Sequence, residues 1–140
     1  MQTLVTDLLV TLAYGVVGVV LMGIGYVLVD VATPGRLNEL IWTQRNRNAA
    51  LLLASNLAGV GITVVAAIVA SEDDFVLGIV GAASYGVLGL VIMAAAFVLL
   101  DVATPGKLGE ILVDPQPHPA VWVSSVIHLA TGAIIAAAIS

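Results

Sequence analysis

Asp30-Val31-Ala32-Thr33-Pro34-Gly35 is repeated 71 positions later, unchanged, as Asp101-Val102-Ala103-Thr104-Pro105-Gly106. Each stretch stands at the C-terminal end of a long apolar run. The correspondence continues on both sides at the same spacing. Tyr14-Gly15-Val16 matches Tyr85-Gly86-Val87, Gly18 matches Gly89, Met22 matches Met93, and past the motif Leu37 matches Leu108 and Glu39 matches Glu110. Self-similarity at a fixed period marks a duplicated supersecondary unit. The chain therefore reads as two tandem two-helix repeats, residues 1–70 and 71–140, within one membrane domain.

Composition limits what such a unit can be. Of 140 residues, 61% are hydrophobic and only 9% are charged, against about 25% charged in a soluble domain. So much apolar surface on so short a chain points to a lipid bilayer as its partner. There is no cysteine, which excludes disulfides and thiolate metal sites. The net charge of −5 argues against nucleic acid. The first apolar run has no basic region ahead of it and is too long for a signal peptide. No Gly-rich phosphate loop, metal cluster or cofactor motif is present, so no cofactor is expected.

A helix needs about 20 apolar residues to cross the hydrocarbon core. Four stretches qualify, at residues 8–29, 49–70, 75–100 and 120–139, separated by polar breaks at 30–48, 71–74 and 101–119. All four basic residues, Arg36, Arg45, Arg47 and Lys107, fall in the first and third breaks. The excess of positive charge on cytoplasmic loops then puts those two breaks inside and both termini outside. The expected fold is all-α and integral to the membrane. Its four transmembrane helices form two hairpins related by an axis along the membrane normal, not by inversion.

The loops after each motif read as short cytoplasmic amphipathic helices. Thr33 is suited to cap a new helix with Pro34 at its first position. Leu37, Leu40 and Ile41 then recur at helical spacing, and Trp42 is suited to a headgroup anchor. The second copy offers Leu108, Ile111 and Leu112, and runs on into the stiff Asp114-Pro115-Gln116-Pro117-His118-Pro119 linker.

Few residues carry chemistry. Asp30 and Asp101 are ionisable groups at the ends of spanning helices, which makes them a candidate ion site. Pro34 and Pro105 cannot donate to the Asp30 and Asp101 carbonyls if the helices continue, which would set each carboxylate beside a free carbonyl. The plainer alternative is that each Asp terminates its helix and binds water or the N–H groups of the next turn. Asn56 and His128 align when one extra residue is allowed in the second copy. Both sit roughly 13 Å into their spans at about 1.5 Å per residue. Such groups either join helices or line a path. Gly15, Gly18, Gly86 and Gly89 form small-residue stripes suited to close helix packing. Ser124 and His128 stand at i and i+4, a spacing too common to suggest catalysis, and the chain is not expected to be an enzyme.

The doubled Asp-x-x-Thr-Pro-Gly at helix ends, on a four-helix membrane chain of this length, resembles the bacterial family catalogued as domain of unknown function 350. The resemblance spans nearly the whole chain and rests most on residues 30–35 and 101–106. It implies an integral protein of a prokaryotic cytoplasmic (inner) membrane and carries no catalytic residue with it. Two functional readings follow. One is an oligomeric channel or transporter-like protein for small ions or solutes, with Asp30 and Asp101 around its mouth. The other is a membrane scaffold or accessory subunit whose cytoplasmic face (Arg36, Glu39, Arg45, Arg47, Lys107, Glu110) docks a partner enzyme. Four spans enclose little space, so a homo-oligomer is expected in either case.

Overall fold

Four helices long and apolar enough to cross a bilayer dominate the computed structural model, which describes residues 2–70, 74–103 and 107–139. They are α1 (Gln2–Ala32), α2 (Arg47–Val69), α3 (Phe75–Ala103) and α5 (Pro119–Ile139). A π-helical turn (Glu39–Thr43) lies between α1 and α2, and the short α4 (Leu108–Val113) lies between α3 and α5. The described residues contain no strand. Thr104, Pro105 and Gly106, like Glu72 and Asp73, fall outside the described residues.

Local chemistry sets the boundaries. The α1 helix stops before Pro34, whose ring and missing N–H cannot continue it, and Gly35 turns the chain with φ +102°. Thr33 does not cap the next helix. Its Oγ1 donates back to the Val29 carbonyl at 2.8 Å and its N–H donates to the Asp30 carbonyl at 3.4 Å. The proline leaves the Asp30 carbonyl open and Thr33 N–H answers it, while the Thr33 hydroxyl takes the Val29 carbonyl in place of that N–H. Asn46 caps α2, its Oδ1 accepting from Asn48 N at 2.9 Å and Ala49 N at 3.1 Å. Asp74 opens α3 in the same manner, accepting from Val76 N and Leu77 N, each at 3.0 Å.

The most extensive helix pair is α2 with α5. A Cβ built on Gly132 would lie 2.5 Å from the Gly59 carbonyl oxygen and 2.7 Å from its Cα, so the two backbones touch. Thr63 Oγ1 donates to Gly59 O at 3.1 Å and lies 3.4 Å from Gly132 O across the contact. Small residues permit such an approach where no hydrophobic effect drives helices together. Around this pair, α3 packs against α1, α2 and α5, whereas α1 reaches only α2 and α3 to any extent.

Two apolar clusters hold the bundle. One joins Leu21, Val60, Val64, Leu90, Met93 and Ile135 within the spans. The other, at the loop end, joins Leu37, Leu40, Ala49, Leu52, Leu112 and Val121, with Tyr26 and Phe97 against it. The leucines expected to face the headgroups instead serve the protein core. Leu37, Leu40, Leu108 and Leu112 are all buried, while Trp42 is 76% exposed. Burial beneath the spans satisfies their apolar surface within the chain itself.

Candidate functional site

At the loop end, both motif aspartates do one job. Asp30 Oδ1 accepts the Leu37 N–H at 2.7 Å, and Asp101 Oδ1 accepts the Leu108 N–H at 2.8 Å. Each carboxylate thus reaches seven residues ahead to the first turn of the following helical segment, whose N–H groups lack intrahelical partners. The Asp30 carbonyl is not free beside it, because Thr33 N–H occupies it. Both aspartates are half-buried. The arrangement fixes the chain's exit from α1 and α3.

A second polar group at this end was not evident in the sequence. Asn46 Nδ2 donates to Leu112 O at 2.9 Å and Asp114 O at 3.1 Å. Asn48 Nδ2 donates to Gln116 O at 2.8 Å and Asp114 O at 3.1 Å, with Ile111 O at 3.3 Å, and its Oδ1 accepts His118 N–H at 3.1 Å. Two buried amides therefore bind the end of α4 and the proline-rich linker to the start of α2. The sequence signal was the pair of asparagines bracketing Arg47 directly before a span.

Deeper in the bundle the polar groups are differently placed. Asn56, Ser125 and His128 are buried, His128 completely. Asn56 Oδ1, Ser125 Oγ and both His128 ring nitrogens accept or donate no hydrogen bond to any described protein group. The His128 ring stacks on Phe97 with centroids 5.9 Å apart and planes 7° from parallel. A Cβ on Gly59, one turn beyond Asn56, would lie 2.8 Å from His128 O and equally close to Met93 Cε. The α2–α5 contact thus brings both polar residues next to the glycine crossing. Ser124 is occupied with Ala120 O at 3.0 Å and forms no bond to His128.

Asn56 and Phe97 also line a cavity of about 210 Å³ between α1, α2 and α3. Its remaining walls are apolar, among them Leu28, Val31, Met93 and Val98. Asn56 is the sole polar residue on its lining, and Phe97, which also lines it, is the ring that stacks on His128. The described residues hold no group of three His, Cys, Asp or Glu able to bind a metal.

The glycines divide sharply. A Cβ on Gly86 would run into the Leu21 side chain, and one on Gly89 would meet Thr63 Cγ2 at 2.7 Å. On Gly18 it would reach Val64 Cγ1 at 3.4 Å, an ordinary contact. Gly15 faces open space, with nothing within 4 Å. The tightest backbone crossing, Gly59 with Gly132, lies between α2 and α5.

Comparison with known proteins agrees with this architecture. No solved structure matches the chain. A UPF0719 transmembrane protein of Mycobacterium bovis is 36% identical over 130 residues, covering 93% of this chain and 86% of the relative. A counterpart from Mycobacterium tuberculosis gives the same identity and coverage, and one from Mycolicibacterium paratuberculosis is 32% identical over the same shares. The family model described as Domain of Unknown Function (DUF350) matches residues 3–139. From its first helix to its last, this four-helix membrane chain belongs to the DUF350 family.

Proposed function

We propose that the protein is an oligomeric, transporter-like membrane protein for a small ion or solute, whose working groups are Asn56, Ser125 and His128. The observation that carries this reading is the set of four unpartnered polar atoms buried within the spans. Polar residues that only join helices do so by bonding across them, as Thr63 does. A buried polar atom left unbonded costs about 1–3 kcal/mol, and intramembrane polar groups mark pathways more often than soluble ones do. Asp30 and Asp101 fit a mouth ring less well, since one oxygen of each is committed to a backbone amide.

The test is flux of protons and monovalent cations into proteoliposomes. His128→Leu and Asn56→Leu are expected to abolish flux while the protein remains folded, whereas Asp30→Asn and Asp101→Asn leave it nearly unchanged. Undiminished flux in both Leu variants, or none from the folded parent, overturns the reading.

The scaffold alternative has one observation in its favour: Arg36, Glu39, Arg45, Arg47, Lys107 and Glu110 are all exposed. It expects Arg45→Glu or Arg47→Glu to abolish capture of a cytoplasmic enzyme, with flux absent throughout. Both readings take the loop end to be cytoplasmic in an inner membrane, with the termini outside. An impermeant thiol reagent added to intact cells is then expected to label Ser71→Cys and spare Gln44→Cys. The reverse pattern inverts the topology.

A further inference from the structure

Beside the central α2–α5 crossing, the contact between the two halves of the chain is not reciprocal. In it, α3 lies in a groove formed by α1 and α2. Gly86 receives Leu21, Gly89 meets Thr63, Met93 meets Gly59, and Leu90 lies beside Gly25. A two-fold arrangement would seat α1 on α3 and α5 in the same way, but α1 and α5 are hardly in contact. Repeat one therefore offers its front to repeat two, while the front of repeat two and the back of repeat one stay open.

Both open faces can be found by position. Counting 71 residues from α1 to α3 and 72 from α2 to α5, the receiving positions Leu21, Gly25, Gly59 and Thr63 correspond to Ile92, Ala96, Thr131 and Ile135. All four line a groove of about 440 Å³ between α3 and α5. The inserting positions Gly86, Gly89, Leu90 and Met93 correspond to Gly15, Gly18, Val19 and Met22 on α1. Leu90 is 4% exposed and Met93 1%, but Val19 is 70% exposed and Met22 38%.

We propose that the α3–α5 groove receives α1 of a second copy of this chain, repeating between subunits the way α3 sits on α1 and α2. Gly15 of one copy would face Ile92 of the next, as Gly86 faces Leu21 within the chain. Such a head-to-tail contact closes into a ring when its rotation permits. Each added subunit buries the exposed face of one α1 helix and the groove of its neighbour. This gives the oligomer invoked above its interface, and rests on that reading only for the existence of an oligomer.

The cysteine-free chain makes the test direct. Two differently tagged copies, one carrying Gly15→Cys and the other Ile92→Cys, are co-expressed and oxidised in native membranes. The expected result is a disulfide-linked heterodimer, absent when Ile92→Cys is replaced by Val126→Cys on an exposed face of α5. Leu21→Cys with Gly86→Cys in one chain should close internally and confirms the template. Gly15→Leu, which meets nothing in the isolated chain, is expected to reduce the parent assembly in lipid nanodiscs to the mass of one 14.3 kDa chain. A heterodimer no more abundant than with Val126→Cys, or an assembly unchanged by Gly15→Leu, overturns the proposal. Cross-linking as expected from a protein that carries no flux would reject transport and leave this interface standing.

Discussion

Helices α1 and α3 carry nearly the same stripe, Gly15, Gly18 and Met22 in one and Gly86, Gly89 and Met93 in the other, yet the first is largely open and the second is buried. The difference cannot come from the residues, since they are identical. It comes from position in the chain: α3 has the first repeat in front of it, and α1 has nothing. A small-residue face in a membrane protein is thus a capacity for close packing, and its use depends on what stands opposite.

The largest expected effect breaks the comparison directly. Gly86→Leu and Gly89→Leu should each destabilise the bundle by about 1–3 kcal/mol through overpacking, while Gly15→Leu should stay within about 0.5 kcal/mol, as exposed substitutions do. Thermal unfolding of detergent-dispersed monomer reads both. Equal losses at Gly15 and Gly86 would mean that the two stripes are equally packed.

A second difference lies at the loop end. Asn48 holds the α4 end and the linker, whereas Ala120, its counterpart 72 residues on, has no side chain for such a role. Asn48→Ala should cost about 1 kcal/mol, the net value of lost hydrogen bonds, because the part-buried carbonyls of residues 111, 114 and 116 lose their donor. Protease cleavage within residues 114–118 should rise in parallel. Unaltered stability and cleavage would reduce the network to a surface contact.

Where the halves agree, matched effects are expected. Asp30→Ala and Asp101→Ala should each cost about 1 kcal/mol, the usual value of a lost cap, and the Asn variants much less, since an amide oxygen also accepts. A melting series separates the four. Unequal Ala losses would show that only one of the two caps matters.

The spans were legible because each exceeds the length a bilayer demands and the breaks between them are strongly polar. The motif was legible as a helix end, but the direction of each carboxylate was not. It depends on the turn at Gly35, whose positive φ swings the next helical segment back so that Leu37 N–H meets Asp30. Thr33 misled because a threonine before a proline fits a cap as well as it fits a back-bond to Val29. Asn46 and Asn48 were missed because loop asparagines are common and their partners lie more than 60 residues away. The Gly59–Gly132 crossing was missed for another reason: α2 and α5 match with one residue of slip, which hides which glycines face each other. Asn56 and His128 were found as polar residues at depth, but only packing shows that Asn56 Oδ1 and both His128 ring nitrogens lack protein partners.

The lengths of the helices have a consequence for the surrounding membrane. With 31 residues, α1 is about 46 Å long at about 1.5 Å per residue, against a hydrocarbon thickness of about 30 Å. The 21 residues of α5 match that thickness at about 31 Å. Tilt alone would have to exceed the usual range of about 0–40° to hide all of α1. Its first two turns, which bear Thr3, Thr6 and the exposed Asp7, therefore stand in the headgroup layer, and the apolar stretch left at residues 8–29 is close in length to that of α5. The hydrocarbon thickness is thus matched at both helices, and α1 alone raises a polar post beyond it among the headgroups.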